Sequence, residues 1–155
     1  LQELSPTGKR NHLTKPVVLL ALETAMRRGE LLSLRWEHID FERRTAHLFE
    51  TKNGVSRTVP LSTEAVQILK SLSHSDEKVV FPIKYFTLDA AFKKAVTRAE
   101  LSDFHFHDLR HMAITAIAKK LPNVIELSAV SGHKSLTMLK RYYHPNAQEL
   151  ALKLG

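Results

Sequence analysis

Apolar residues recur at helical spacing along most of this chain. The first run, residues 17–26 (VVLLALETAM), is apolar on most sides, as a buried helix would be. Thr14 is the candidate N-cap of this helix, with Pro16 in its first turn. Gly29 marks the junction to a second short helix. Similar patterns predict the remaining helices, at residues 30–36, 62–70, 87–99, 107–120, 123–132, 135–143 and 147–154.

Several predicted helix ends carry their own signals. Ser62 precedes its helix as an N-cap, and Gly132 follows another as the residue that ends it. Asn146 with Glu149 resembles a capping box at the start of the last helix. These local signals agree with the apolar spacing and support the helix assignments.

Strand patterns are confined to the middle of the chain. Residues 45–50 (TAHLFE) and 56–61 (SRTVPL) read as two strands, and Asn53-Gly54 between them is a strong hairpin signal. Residues 79–82 (VVFP) form a short extended piece. The sequence therefore predicts a mainly helical α+β fold. It forms a single domain with a small antiparallel β-hairpin or sheet.

Composition limits the classes of function. The 155 residues suffice for one domain with a real core, and no apolar run approaches the roughly 20 residues that span a bilayer. No signal peptide is visible. Cysteine is absent, which excludes disulfides, a thiolate nucleophile and Cys-ligated zinc and suits a cytosolic protein. The formal net charge of +7 favours a polyanionic partner such as nucleic acid.

Two adjacent tyrosines stand out in residues 140–145 (KRYYHP). On an α-helix, Leu136, Leu139 and Tyr143 fall on one apolar stripe, so Tyr143 is predicted to pack. Tyr142 is rotated by about 100° and is freer to point elsewhere. Two half-buried surface aromatics remain the plain alternative.

Residues 104–111 (FHFHDLRH) hold the densest group of candidate functional side chains. His107 and Arg110 are three residues apart, so a helix places them on one face, where they form a good clamp for phosphate oxygens. One alternative is a metal site built from His105, His107 and His111, although no glutamate stands at zinc-protease spacing. Another is that His107 merely begins the helix, with Asp108 complementing its dipole.

Three further candidates are weak when taken singly. Arg27 lies at the junction of two predicted helices, where it is a surface residue, a salt-bridge partner of Glu30 or a functional arginine. Lys52 lies beside the Asn-Gly turn, which projects it into solvent. His133 follows Gly132, a position more typical of a surface or capping histidine.

Order and spacing make these motifs specific. In sequence order they are TAMRRGELLSLRWEHID, TKNGVSRTVPLS, FHFHDLRHMAIT and SGHKSLTMLKRYYHP, which cover most of residues 17–145. With them the chain resembles the catalytic domain of the tyrosine recombinases, also called the phage integrase family. The family pattern sets the nucleophile two residues before a histidine, which here is Tyr142 before His144.

Three positions depart from the family pattern. Ser131 stands where Leu usually precedes Gly-His, and Met112 follows HDLRH where Thr is common. Tyr143 lies where smaller residues are frequent. We take these positions to lie outside the chemistry.

The resemblance implies a role for each candidate. Tyr142 is the nucleophile, Arg27 and Arg110 bind the phosphate, and Lys52 is the lysine of the hairpin. His107 is the histidine of the H-x-x-R pair with Arg110, and His133 is the last active-site histidine. A phenol has a pKa of about 10 and needs help at neutral pH, whereas arginine stays protonated and stabilises charge on phosphate oxygens. The implied product is a covalent 3′-phosphotyrosine, which needs no ATP, metal or other cofactor.

The resemblance also implies partners and surroundings. We expect double-stranded DNA and a homo-oligomer, a tetramer on paired sites, in the cytoplasm of a bacterium as a bacterial or phage-encoded, nucleoid-associated protein. Residues 1–12 would lead in from an upstream core-binding domain, residues 13–145 form the catalytic domain, and the helix in 146–155 packs on its own domain or on a neighbouring subunit. Candidate contacts to the DNA backbone are Lys9, Arg10, Lys15, Arg43, Arg44, Arg57, Lys93, Lys94 and Arg98.

Three other functions stay open on the sequence. A type IB topoisomerase-like enzyme shares the chemistry but relaxes one DNA molecule instead of joining two sites. A non-catalytic DNA-binding module would keep the basic surface without the reaction. A His-ligated metalloprotein would use the histidines of residues 104–111 as ligands.

Overall fold

A computed structural model describes residues 1–5, 11–49, 56–72, 77–144 and 146–155 of the chain. Helices dominate these residues, and strands are short. The α-helices are α1 (Thr14–Thr24), α2 (Arg28–Ser33), α3 (Thr63–Ser71), α4 (Tyr85–Arg98), α5 (Phe106–Lys120), α6 (Val124–Ser131) and α7 (Ala147–Leu154). The strands are β1 (Ile39–Asp40), β2 (Thr45–Leu48) and β3 (Arg57–Pro60), and 3-10 helices occupy Gln2–Leu4, Trp36–His38 and Leu136–Tyr142.

The three strands form one antiparallel sheet in the order β1-β2-β3. The two predicted strands are confirmed: Thr45 pairs with Pro60, and Leu48 pairs with Arg57. Strand β1 was not predicted, because two residues are too few to show an alternating pattern. The Asn53-Gly54 turn and Lys52 lie outside the described residues, so the hairpin connection stays a prediction.

The larger hydrophobic core surrounds α1. Its residues Val17, Leu20 and Ala21 are at most 1% exposed, and α1 packs against α3 and α5. The same core takes in buried side chains of the sheet and of α4. The predicted all-round apolar character of residues 17–26 is thereby confirmed, since this helix is enclosed by its neighbours.

A smaller hydrophobic cluster joins α5, α6 and the last 3-10 helix. We call it the second cluster; Tyr142 and Tyr143 pack against it. Its buried members are Ala25, Ala113, Ile114, Ala118, Leu127 and Leu139. The second cluster therefore fixes where the two tyrosines can lie.

Most predicted helix ends are confirmed. The Ser62 hydroxyl accepts a hydrogen bond from the Ala65 N–H at 3.0 Å, and the Asn146 side chain caps α7. Thr14 is not an N-cap: α1 begins at Thr14, and the cap position belongs to Leu13. Asn11 accepts a hydrogen bond from the Leu13 N–H at 2.8 Å, so the polar group that orders this start lies further upstream.

Gly132 ends α6 as predicted, and a side chain there would be strained. Its φ is +68°, in the left-handed region that favours glycine. A Cβ atom built at this position would lie 2.8 Å from the guanidinium end of Arg57. Because glycine has no side chain, the Arg57 side chain of β3 can lie in close contact with the end of α6.

The predicted α-helix over residues 135–143 is wrong. Leu136–Tyr142 form a 3-10 helix, and Tyr143 beyond it is extended. A 3-10 helix aligns residues i and i+3, so Leu136, Leu139 and Tyr142 lie along one side of it and Tyr143 does not. Leu139 is fully buried whereas Leu136 is 42% exposed, which breaks the predicted apolar stripe.

The C-terminal helix α7 stands apart from both clusters. Leu152 and Leu154 are 85% and 87% exposed, and Leu150 is 45% exposed. No helix in the described parts of the chain has the length and apolar character needed to cross a bilayer.

Candidate active site

The two adjacent tyrosines make different contacts. The Tyr142 hydroxyl lies 2.7 Å from Nδ1 of His111 on α5. The Tyr143 hydroxyl donates a hydrogen bond to the Leu121 carbonyl at 2.7 Å, and burial raises the pKa of this phenol. Tyr143 therefore packs as predicted, although the α-helical stripe that motivated the prediction does not exist. The large residue at this departure from the family pattern anchors the chain beyond the 3-10 helix.

Tyr142 borders a cavity of about 310 Å³ that collects most of the predicted catalytic residues. Four separate elements contribute, namely the start of α2, α5, the end of α6 and the last 3-10 helix. Lys52 lies outside the described residues. The predicted catalytic residues that line the cavity are Arg27, His107, Arg110, His133 and Tyr142.

Arg110 is buried at the meeting point of two helix ends. Its guanidinium donates hydrogen bonds to the carbonyls of Ala25, at the end of α1, and Ser131, at the end of α6. Terminal carbonyls have no partner within their own helix and carry the negative end of its dipole, so a cation suits this place. Burial, and then the charge of Arg27, lowers the pKa of Arg110 to about 10, so it stays protonated at neutral pH.

Arg27 is oriented by Glu30, a residue that the sequence suggested only as a competing explanation. Glu30 Oε1 accepts from the Arg27 guanidinium at 3.0 Å, and Oε2 accepts from the Arg27 main-chain N–H at 2.7 Å. The salt bridge and the cavity position occur together, because Arg27 still lines the cavity. The i, i+3 spacing was the available signal for this contact.

Arg57 departs from its prediction as a DNA-backbone contact. Both of its terminal nitrogens donate to the two oxygens of Glu30 at 3.0 Å, and only 10% of its side chain is exposed. Burial lowers the pKa of Arg57, and Glu30 acts in the opposite direction. Arg57 is thus part of a buried ion pair, since strand β3 turns it toward α2 rather than into solvent.

His133 is held by two serines of α6. Its Nδ1 lies 2.7 Å from the Ser131 hydroxyl, and its carbonyl accepts from the Ser128 hydroxyl at 2.7 Å. Burial, together with nearby Arg110 and Arg27, lowers the pKa of His133 to about 4, so it is neutral at pH 7. Ser131 was placed outside the chemistry, and this was wrong: it contacts both His133 and Arg110.

Two cavity residues were missed as partners of the tyrosine. The Arg141 guanidinium lies 3.0 Å from His111 Nδ1 and 3.3 Å from the Tyr142 hydroxyl. His111 was considered only as a metal ligand, and its ring lies 4.9 Å from that of His107. Its place in HDLRH, directly after Arg110, was the only available signal.

The alternative of a metal site gains no support. The described residues, which include His105, His107 and His111, hold no group of three or more His, Cys, Asp or Glu arranged around a metal position. His105 instead occupies the N-cap position before α5, where Asp108 accepts a hydrogen bond from its N–H at 2.6 Å.

The remaining basic candidates lie in varied surroundings. Arg43 and Lys93 are exposed and pair with Asp40 and Asp89, respectively. Arg44 and Lys94 are exposed. Arg98 pairs with Glu3, and Lys15 donates to Ser5. Lys9 and Arg10 lie outside the described residues.

Comparison with known proteins decides the family. The model of the phage integrase family matches residues 2–149. The shufflon-specific DNA recombinase of Escherichia coli is 46% identical over 147 residues, which is 94% of this chain. The chain belongs to the phage integrase family. The resemblance to a tyrosine recombinase catalytic domain is thereby confirmed.

Solved structures agree with the family. The catalytic domain of bacteriophage HP1 integrase is 25% identical, with a TM-score of 0.75, and the match covers 98% of this chain and 86% of that one. The Tn1549 transposon integrase, solved with a circular intermediate DNA, has a TM-score of 0.76 at 18% identity, covering 99% and 62% of the two chains. The mainly helical fold with a small antiparallel sheet is therefore shared.

The chain corresponds to only part of its relatives. It spans 38% of the length of the shufflon-specific recombinase and 46% of a putative integrase/recombinase of Haemophilus influenzae.

Proposed function

We propose that this chain is the catalytic domain of a site-specific DNA recombinase that cuts and rejoins duplex DNA through Tyr142. One observation carries the proposal: Tyr142 borders the same cavity as four of the other predicted catalytic residues, Arg27, His107, Arg110 and His133. Names of relatives, such as shufflon-specific DNA recombinase and Salmonella phage P22 integrase, support this reaction class.

The two arginines would bind the scissile phosphate. Guanidinium groups donate paired hydrogen bonds to phosphate oxygens and remain charged throughout the reaction. Arg27 is fixed by Glu30, and Arg110 is fixed by main-chain carbonyls. Neither needs to rearrange as charge develops on the phosphate, which is the condition for strong electrostatic stabilisation of a transition state.

Attack by Tyr142 would form a 3′-phosphotyrosine and release a 5′-hydroxyl. The leaving oxygen needs a proton, and Lys52 is the proposed acid. His107 and His133 would donate hydrogen bonds to the phosphate, which the neutral state of His133 permits through its N–H group. A 5′-hydroxyl from another strand then attacks the phosphotyrosine, so rejoining needs no ATP or metal.

The whole protein would be larger than the catalytic unit. We propose an upstream core-binding domain, since the relatives are more than twice as long as the part matched. Duplex DNA would be the partner, and a tetramer on paired sites the working assembly, in a bacterial cytoplasm. Exposed Arg43, Arg44, Lys93 and Lys94 would contact the DNA backbone together with Lys9 and Arg10.

The test is capture of the covalent intermediate. The full-length protein is mixed with a labelled pool of nicked duplexes of randomised sequence, in EDTA and without ATP, and resolved on a denaturing gel. The nick lets the cleaved end diffuse away, which traps the protein on DNA. We expect a labelled protein band that Tyr142→Phe abolishes and Tyr143→Phe retains.

Each other pattern has a clear meaning. Loss of the band with Tyr143→Phe alone would move the nucleophile by one residue. If the parent protein gives no labelled band that either Tyr→Phe change removes, the recombinase proposal is refuted. That result would favour a non-catalytic DNA-binding module. Relaxation of a single plasmid without joining of two sites would favour the topoisomerase-like alternative.

A further inference from the structure

His111, Arg141 and Tyr142 form a three-membered cluster at the edge of the cavity. His111 Nδ1 lies 2.7 Å from the Tyr142 hydroxyl and 3.0 Å from an Arg141 terminal nitrogen. The Arg141 carbon between its nitrogens lies 5.2 Å from the centre of the Tyr142 ring. The phenol oxygen therefore contacts two side chains to which the proposed function assigns no role.

The contacts of His111 Nδ1 favour one tautomer of the imidazole. Arginine has only N–H donors, so a hydrogen bond from Arg141 requires a lone pair on Nδ1. We therefore assign the proton of neutral His111 to Nε2. With Nδ1 unprotonated, the Tyr142 phenol O–H also donates to this nitrogen and shares its single lone pair with Arg141.

The surroundings favour the neutral imidazole. Burial lowers the pKa of His111 first, followed by the charges of His107 and Arg141. Asp108 acts in the opposite direction, and Arg110 lowers the pKa further. These groups belong to α5 and to the last 3-10 helix, the two elements that meet at His111.

We propose that His111 Nδ1 is the general base that takes the proton of Tyr142 as the tyrosine attacks DNA. The inference rests on the proposed nucleophilic role of Tyr142. The phenol O–H bond breaks and its proton moves to Nδ1 while the oxygen–phosphorus bond forms. The bond to the 5′-oxygen breaks, and that oxygen takes its proton from the acid, Lys52. In the rejoining step, the imidazolium returns its proton to the departing phenol, and neutral Lys52 takes the proton of the attacking 5′-hydroxyl.

The incoming phosphate strengthens this base when it is needed. An anion close to an imidazole stabilises the protonated form and raises the pKa. Without DNA, burial first and then the neighbouring His107 and Arg141 keep the pKa of His111 below its ordinary value. With DNA bound, the phosphate charge offsets the charges of Arg141 and Arg110, which stabilises the imidazolium formed during attack.

His133 is less suited to this step. His133 Nδ1 is engaged by Ser131, and a pKa of about 4 makes His133 a weak proton acceptor at pH 7. The described hydrogen-bond partners of the Tyr142 hydroxyl are His111 and Arg141. Arg141 has no lone pair to accept a proton, which leaves His111.

The first experiment needs no DNA. Nuclear magnetic resonance of the full-length protein with labelled histidine would give the tautomer and pKa of His111. We expect an Nε2–H tautomer and a pKa below 6.5 that rises in Arg141→Gln and Tyr142→Phe, since each change removes a donor to Nδ1. An Nδ1–H tautomer, or a pKa that neither change moves, would overturn the proposal.

The second experiment measures the rate of covalent capture from the same nicked pool. General bases contribute roughly 10²- to 10⁴-fold, so His111→Ala and His111→Gln should both slow capture by that factor. His144→Gln is the matched control, because His144 is exposed and only two residues from Tyr142. Genetically encoded fluorotyrosine at position 142, a more acidic phenol, should restore much of the lost rate in His111→Ala.

The outcomes separate this inference from the proposed function. If capture depends on Tyr142 but His111→Gln matches the parent rate, His111 is not the base and the recombinase stands. If His111→Ala is slow and fluorotyrosine does not help, His111 only positions the phenol. If no capture depends on Tyr142, both the proposed function and the base are refuted.

Discussion

At the scale of single residues, one buried carboxylate organises two arginines of different elements. Glu30 is 6% exposed and contacts Arg27 from its own turn and Arg57 from β3. Burying these charges is tolerable only because they are paired and hydrogen-bonded. Glu30 thereby links the sheet to the cavity, and the position of Arg27 depends on it.

We expect Glu30→Gln to destabilise the protein by about 3 to 5 kcal/mol, because it leaves the buried Arg57 without a counter-charge. Urea unfolding checks this, as a lower midpoint with an unchanged slope. Glu37→Gln is the control, since the exposed Arg35–Glu37 pair should contribute less than about 1 kcal/mol. Adding Arg57→Met to Glu30→Gln should recover part of the loss; no recovery would contradict the buried-charge explanation.

At the scale of elements, the last 3-10 helix holds Tyr142 through a single buried side chain. Leu139 is the buried residue of this helix and inserts between α5 and α6 in the second cluster. Tyr142 lies one 3-10 turn further along the same face. The position of the phenol is therefore coupled to the packing of Leu139.

Leu139→Ala should cost about 2 to 5 kcal/mol of unfolding free energy, because it removes a leucine from a closed cluster. It should also slow covalent capture by up to about 100-fold, since small displacements of a reacting atom have that effect. Leu136→Ala in the same helix is the control, because Leu136 is 42% exposed. Equal effects of the two changes on both measurements would show that Leu139 does not hold Tyr142.

The elements also show what local sequence patterns can and cannot predict. Ser62 and Gly132 were located correctly because caps depend on a few neighbouring residues. The 3-10 form of Leu136–Tyr142 was not, because packing on α5 and α6 overrides the α-helical spacing.

The residues of the site were predictable from local motifs, but their long-range contacts were not. Motif spacing located the predicted cavity residues, whereas the contact of Tyr142 with His111 joins residues 31 positions apart. No local pattern reports a contact of that range. The burial of Arg57 against Glu30, 27 residues away, was missed for the same reason.

At the scale of the whole molecule, the cavity lies where several helix ends converge. Arg110 joins the ends of α1 and α6, and the second cluster seats the last 3-10 helix beside them. The cavity is thus supported by elements that pack in cis. Helix α7 is different, because its leucines are exposed in the isolated chain.

We expect α7 to join neighbouring copies of the protein. Exposed leucines are unfavourable in water. Burying them against a partner stabilises the complex by about 25 cal/mol of free energy for each Å² of apolar surface covered. Sedimentation of the full-length protein over a range of concentrations should show a rising mass. Deleting residues 146–155 should abolish the rise, as should changing Leu150, Leu152 and Leu154 together to Ser.

The leucine variant separates apolar contact from loss of the helix itself. Its matched control changes Gln148 and Lys153 to Ser, which alters the same helix at polar positions and should leave the mass rise intact. A rise that survives both the deletion and the leucine variant would place the subunit contacts elsewhere. In that case α7 would pack in cis in the whole protein, and the leucines exposed here would be covered by another part of the same molecule.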